Sequence, residues 1–349
     1  GSLVLVIASS SARLTGVDVS NPAAPALAGS VSDSAALQGA IGLAVHGERA
    51  FIACTSGRLA IVTISDVSAL QVVGLLDDAT LLAGAQAVAV SGGFAYVAAP
   101  GYGGVSVVDV SESSGPRVVG SVSNATFLGG ARAVYLSGSS LYVSSGSSSR
   151  AVLLDVSDAR APAVSGFTAA SAQLSSAAGI AVVDGYVYVL SDTQHALTVL
   201  AAALSPSPPS PPPPVPPQVS APAPHAPAMS VVGGLQDAVS LNGAHGVAAS
   251  SSALYVAGGD SLSVIDISTP SAPTIVGLYR STAYLGGAWD VVLSPGGGVA
   301  YVSASSADTL TAVDIAVSSS PTYLGSISAG GGDGWLSQPV GLAVSPLNG

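Results

Sequence analysis

The chain has 349 residues, of which 49% are hydrophobic but only 5% aromatic and 8% charged; lysine is absent, all eight basic residues are arginines, and the net charge is −11. Cations this sparse cannot build a phosphate-tracking surface, which argues against nucleic acid and anionic membranes as partners. An Ala/Val/Ser/Gly-rich mixture likewise argues against a helical scaffold, and no run of about eighteen apolar residues escapes interruption by Gly, Ser or Asp, so no transmembrane helix is expected.

The chain opens at Gly1-Ser2 with neither an initiator Met nor a charged segment before an apolar stretch. No signal peptide is read there, and a processed or trimmed product is expected. Leu3-Val4-Leu5-Val6-Ile7-Ala8 then reads as a strand. A short block, Leu-x-small-Ala or Leu-x-small-Pro, follows at Leu37, Leu82, Leu128, Leu174, Leu241, Leu285 and Leu336, with spacings of 45, 46, 46, 67, 44 and 51 residues. Each block leads into an apolar strand, such as Gly42-Leu43-Ala44-Val45 or Ala87-Val88-Ala89-Val90. A second strand carries an aromatic at a fixed phase: Phe51, Tyr96, Tyr142, Tyr188, Tyr255 and Tyr301. A third ends in an apolar-Asp-apolar triplet around Asp18, Asp109, Asp155, Asp266 and Asp314. A fourth follows a Pro-containing loop, as in Pro116 to Val122. Short Val/Ile/Tyr-rich runs bounded by Gly, Ser, Asn and Asp are strands. Cys54 lies in one of them and reads as a small buried hydrophobe.

Four strands in about 46 residues is the length of a propeller blade. A stack of β-sandwich domains needs about 100 residues per unit. The predicted fold is all-β: a seven-bladed β-propeller with a polyproline II insertion, one domain over 1–349. Its closing blade joins 340–349 to 1–39, and the others span about 40–85, 86–131, 132–177, 178–244, 245–288 and 289–339. Closure within one chain is expected, because a tethered strand has the higher effective concentration. The alternative is completion of a neighbouring molecule's blade.

The phrases Val17-Asp18-Val19-Ser20-Asn21-Pro22, Val108-Asp109-Val110-Ser111 and Ile265-Asp266-Ile267-Ser268-Thr269-Pro270 resemble the LVIVD-type propeller repeat. The resemblance covers nearly the whole chain except 205–227, and it implies the fold and an extracellular or cell-surface setting. Thr63 and Ala201 depart from it at the Asp position. The five aspartates are expected to accept backbone N–H groups in the turns that leave their strands; matching positions in separate blades lie too far apart to converge on a metal.

The fourth of the six internal blades is about 21 residues too long. Its excess, Ser205-Pro206-Ser207-Pro208-Pro209-Ser210-Pro211-Pro212-Pro213-Pro214-Val215-Pro216-Pro217, continues as a looser Pro-containing stretch to Pro227. Proline at this density favours polyproline II, so 206–217 is expected to form a rod of roughly 37 Å at about 3.1 Å per residue. The segment looks like the hydroxyproline-rich glycoproteins of plant and green-algal walls and flagella. That resemblance implies hydroxylation and O-glycosylation at Pro206, Pro208, Pro209, Pro211, Pro212, Pro213, Pro214, Pro216 and Pro217, with Ser205, Ser207 and Ser210 as further acceptors. Asn124-Ala125-Thr126 is a candidate N-glycosylation sequon at Asn124.

Other chemistry is thin. His46, His195, His225 and His245 show no metal-ligand spacing, no Gly-x-Ser-x-Gly elbow opens a helix, and Asp77-Asp78 is at most a weak cation site. The functional expectation is a structural or interaction protein, not an enzyme. It would be a secreted, glycosylated subunit of an extracellular fibre, flagellar hair or wall layer, resembling mastigoneme-like algal filaments. Expected partners are copies of itself and a second Pro-rich glycoprotein, with no cofactor beyond covalent glycans and no metal. The alternative is an extracellular propeller that binds carbohydrate or peptide without self-assembly.

Overall fold

The computed structural model describes residues 3–202, 229–328 and 334–345. Among the described residues, twenty-eight strands form seven four-stranded antiparallel sheets, the blades of a propeller. The first blade contains β1 (Leu3–Ala8), β2 (Arg13–Asp18) and β3 (Ala26–Ser32). The second runs through β4 (Ala40–His46), β5 (Arg49–Cys54), β6 (Arg58–Thr63) and β7 (Gln71–Asp77). The third is β8 (Ala87–Ser91), β9 (Phe94–Ala99), β10 (Gly104–Asp109) and β11 (Arg117–Ser123). The fourth comprises β12 (Ala131–Ser137), β13 (Ser140–Ser145), β14 (Arg150–Asp155) and β15 (Ala163–Phe167). The fifth follows as β16 (Ala177–Val183), β17 (Tyr186–Ser191), β18 (Ala196–Ala202) and β19 (Met229–Gln236). In the sixth stand β20 (Ala244–Ala249), β21 (Ala253–Gly258), β22 (Ser261–Asp266) and β23 (Thr274–Arg280). A single helical turn, α1 (Thr282–Leu285), precedes the seventh, which is β24 (Ala288–Leu293), β25 (Val299–Ala304), β26 (Thr309–Asp314) and β27 (Thr322–Ser328).

The last strand, β28 (Pro339–Ser345), completes the first blade by pairing antiparallel with β1, Val4 opposite Val344 and Leu5 opposite Ala343. Closure is therefore within one chain, and it leaves no blade with a bare inner edge.

The repeated residues hold neighbouring blades together. The block leucines Leu37, Leu82, Leu128, Leu174, Leu241, Leu285 and Leu336 are all fully buried. Each caps a small inter-blade core whose other members come from the middle strands of two sheets. Phe51, Tyr96, Tyr188, Tyr255 and Tyr301 are buried too, whereas Tyr142 is half-buried. The fourth-strand glycines have a different task. A Cβ at Gly29 would lie 1.9 Å from the Val67 carbonyl oxygen, and one at Gly277 would lie 1.9 Å from that of Ser318. Both oxygens belong to the next blade's turn between third and fourth strands, so only glycine lets adjacent blades approach this closely.

The aspartates of the third strands behave as the sequence predicts. Asp18, Asp109, Asp155, Asp266 and Asp314 each accept the backbone N–H two residues on, at 2.8–3.2 Å. These bonds hold the Asp18, Asp155 and Asp266 carboxyls below the usual carboxylate range. Cys54 is buried, and burial pushes its thiol up to about 12. Of the pair Asp77-Asp78, Asp77 binds Arg58 at 2.8 Å and Asp78 caps the following turn through Thr80 N and Leu81 N. The residues 205–227 lie outside the described residues, between β18 and β19.

Candidate functional site: the mouth of the axial channel

The first strand of every blade lines the ring's axis. Directly after each Leu-x-x-Ala or Leu-x-x-Pro block stands one residue at the start of that strand: Ile41, Gln86, Arg132, Ala178, His245, Trp289 and Val340. The ladder register shifts at this point in six of the blades, between Ala40 and Gly42 or between Ala244 and Gly246, for example. A bulge of this kind re-aims the extra side chain, and here all seven residues line one axial cavity of about 260 Å³, save that Val340 is represented there by its neighbour Gly341. The next position is Gly42, Ala87, Ala133, Gly179, Gly246, Asp290 and Gly341. In all blades but the seventh it is Gly or Ala because the inner strands nearly touch: a Cβ at Gly246 would lie 2.5 Å from Asp290 Cα.

Polar residues occupy one side of this ring. Arg132 donates from Nη1 to Asp192 Oδ2 at 2.8 Å and approaches His245 Nε2 through Nη2 at 3.0 Å, reaching across the blade where the ring residue is only Ala178. Asp192 comes from the turn joining β17 to β18. Its other oxygen is buried without a hydrogen-bond partner among the described residues. The His245 ring packs on Trp289, centroids 3.8 Å apart. Burial pushes the His245 imidazole down to about 4, so it is neutral at pH 7, and Arg132 beside it acts in the same direction. Burial pushes the Asp192 carboxyl up, but the nearby Ser176 hydroxyl and the Arg132 guanidinium outweigh it and hold the group below the usual range. The result is a compensated Arg–Asp pair beside a neutral imidazole.

Asp290, the one carboxylate in the second ring position, accepts from Val291 N at 2.8 Å and Leu342 N at 2.9 Å, joining β24 to β28. Enclosure pushes it up to about 6. Among the described residues no group of three or more His, Cys, Asp or Glu could hold a metal ion.

A second cavity, of about 440 Å³, adjoins the first on the same face, and Gln86 and Arg132 line both. Its other walls include Ser147, Ser149, Ser175 and Ser176 from the turns of the fourth and fifth blades.

The sequence reading did not find this site. It found only that His245 lacks metal-ligand spacing, yet the signal was there: the residue after each block is the one column where otherwise matching repeats diverge into Gln, Arg, His and Trp. The other histidines do not join it. His46 is exposed at the end of β4, His195 sits in the β17–β18 turn, and His225 lies outside the described residues. Asn124 has a turn-building place. Its Oδ1 accepts Thr126 N and Phe127 N, as Asp33, Asp78 and Asp237 carboxylates do in their blades. The candidate O-glycosylation positions, Ser205 to Pro217, lie outside the described residues.

The LVIVD repeat family model matches residues 5–33, 39–78, 84–124, 243–281 and 285–328, more than half of the sequence. The chain belongs to the LVIVD repeat family. The two blades outside the matched ranges, the fourth and fifth, are those that supply Arg132 and Asp192. No curated protein matches the sequence. Among solved structures, a Lactobacillus plantarum protein aligns with TM-score 0.76 at 14% identity, over 99% of this chain and 100% of its own. The periplasmic gluconolactonase of Pseudomonas aeruginosa aligns with TM-score 0.74 at 14% identity, over 98% of each chain. A suggested 6-phosphogluconolactonase of Bacteroides fragilis aligns with TM-score 0.74 at 10% identity, over 99% of this chain and 98% of its own. Identities this low show a shared fold alone. They nevertheless overturn the expectation that the chain is not an enzyme. That expectation rested on missing motifs, and propellers of this same fold carry lactonase names. A propeller's chemistry converges at the axis from separate blades, where no linear motif records it.

Proposed function

We propose that the chain holds a small, neutral, hydroxyl-rich ring, a sugar or sugar lactone, at the mouth of its axial channel. The observation that carries this reading is the gathering of Gln86, Arg132, His245 and Trp289 at one ring position of a chain with only 8% charged residues. Arg132 is compensated by Asp192, and the Asp290 carboxyl is held by the Val291 and Leu342 N–H groups, so the site offers no free cation to an anionic ligand. It offers directed N–H donors from Gln86 and Arg132 and an indole face, the mixture that binds a ring with polar edges and apolar faces. The lactonase names of two structural neighbours support a cyclic, sugar-derived ligand. Titration with glucono-1,5-lactone and with glucose, followed through the backbone N–H signals of Gly42, Gly179 and Gly246 in the cavity wall by NMR, tests it. Saturable shifts that vanish in W289V support the reading, and unaltered spectra at millimolar ligand reject it. Acid release from the lactone above the spontaneous rate would add turnover to binding.

A specific observation favours a second role, as a subunit of an extracellular assembly such as a fibre, flagellar hair or wall layer. Most of the large exposed apolar side chains lie in the fifth to seventh blades: Val231, Val232 and Val239, Val276 and Leu278, Tyr284, Val317 and Tyr323. The Tyr284 and Tyr323 rings stack at 4.4 Å. A rim this rich in apolar side chains, with Arg280 paired to Asp260, suits contact between copies, and the closed ring leaves faces and rim, not strand exchange, for the purpose. In this role the Pro206–Pro217 segment carries O-linked sugars, with Asn124 as an N-linked site and a Pro-rich glycoprotein as a further partner. Mass spectrometry of the native peptide Ala203–Met229 checks the sugars. Electron microscopy of concentrated protein checks the assembly, and a monodisperse monomer across a wide concentration range sinks it.

A further inference from the structure

Resting on the axial-channel reading, we infer that the channel and the serine-lined cavity are two subsites of one site, whose ligand is a neutral glycan of at least two sugar rings. The two cavities share a wall: Gln86 and Arg132 line both, so a molecule seated in the channel meets the second cavity directly across these side chains. The inner subsite supplies the Trp289 face, and the outer supplies hydroxyls. Ser147, Ser149 and Ser175 side chains make no hydrogen bond to other described residues, although the neighbouring Ser144, Ser148 and Ser191 hydroxyls are all engaged. A hydroxyl both donates and accepts, which matches it to another hydroxyl.

Charge bookkeeping selects the class. Arg132 is the one arginine lining either cavity, and Asp192 holds its Nη1. A phosphate or carboxylate would have to displace that pair. The bridging position of the guanidinium, with N–H groups beyond those bound to Asp192 and His245, suits the oxygens around a glycosidic link instead. At about 260 Å³ and 440 Å³, each compartment is of the order expected for one small ligand ring.

The test is calorimetry and saturation-transfer NMR on the full chain with cellobiose, maltose and lactose against glucose and galactose. The expected result is at least one disaccharide binding roughly tenfold or more tightly than its component monosaccharides. The variant S147L, which fills the outer cavity, should bring that disaccharide down to monosaccharide affinity, and W289V should weaken both kinds of ligand. Equal affinity for mono- and disaccharides, with S147L without effect and W289V still weakening, would overturn the two-subsite inference while leaving the axial site standing. Failure of every sugar to bind, or indifference to W289V, would remove both. S175L serves as a second plug should S147L lower the melting temperature.

Discussion

At the scale of single residues, His245 and Asp290 impose opposite pH dependences. His245 has a folded value near 4 against an ordinary 6.5. Its contribution is complete above pH 6.5 and is lost as pH falls toward 4, a swing of roughly 3 kcal/mol. Asp290 is raised from 3.8 to about 6. Its contribution is complete below pH 3.8 and is lost as pH rises through 6, again roughly 3 kcal/mol. Between pH 4.5 and 6 the two nearly cancel. Thermal melts across that window should therefore show H245Q losing stability as pH rises and D290A gaining it. Each substitution copies a residue found in the matching column, Gln86 and Ala87 respectively, so the ring can accommodate it. Parallel slopes in both variants would contradict the assignment. Cys54, with its thiol raised to about 12, should stay unlabelled by an aromatic disulfide at pH 8 until the fold is opened by denaturant.

At the scale of elements, the fourth strands are legible in the sequence but their purpose is not. The recurring glycine in Leu27-Ala28-Gly29, Val118-Val119-Gly120 and Ile275-Val276-Gly277 reads as a weak point of a strand. In the fold it is where the next blade's turn carbonyl seats, 1.9 Å from where a Gly277 Cβ would stand. G277A should therefore destabilise by about 1–3 kcal/mol through overpacking, read as a lowered urea midpoint with little change in slope. The third-strand aspartates were readable in full. A turn two residues long is a local object, and Asp next to it has one obvious use.

At the scale of the whole molecule, ring closure is a single contact between chain ends that are far apart in sequence, Val4 opposite Val344. Ending the chain before β28 removes the buried Val340 and Leu342 and bares the inner edge of β1. The cost is at least about 4 kcal/mol, so the melting temperature should drop by roughly 5 °C or more. The bare edge should promote association in sedimentation experiments. A truncated chain that melts like the full one and stays monomeric would show that β28 does not hold the ring shut.

The sequence alone determined the period, the four-strand unit, the seven blades and the place of the Pro-rich insertion. Blade packing is local and periodic, and most copies write the same pattern of leucine, aromatic, aspartate and glycine. What only the tertiary structure decided is the site. Arg132, Asp192, His245 and Trp289 come from four consecutive blades, three from inner strands and Asp192 from a turn, and nothing in linear spacing brings them together. Closure around an axis does so, because it turns the one variable position of each repeat toward a common channel. The bulge that begins the inner strands then aims those side chains at one another.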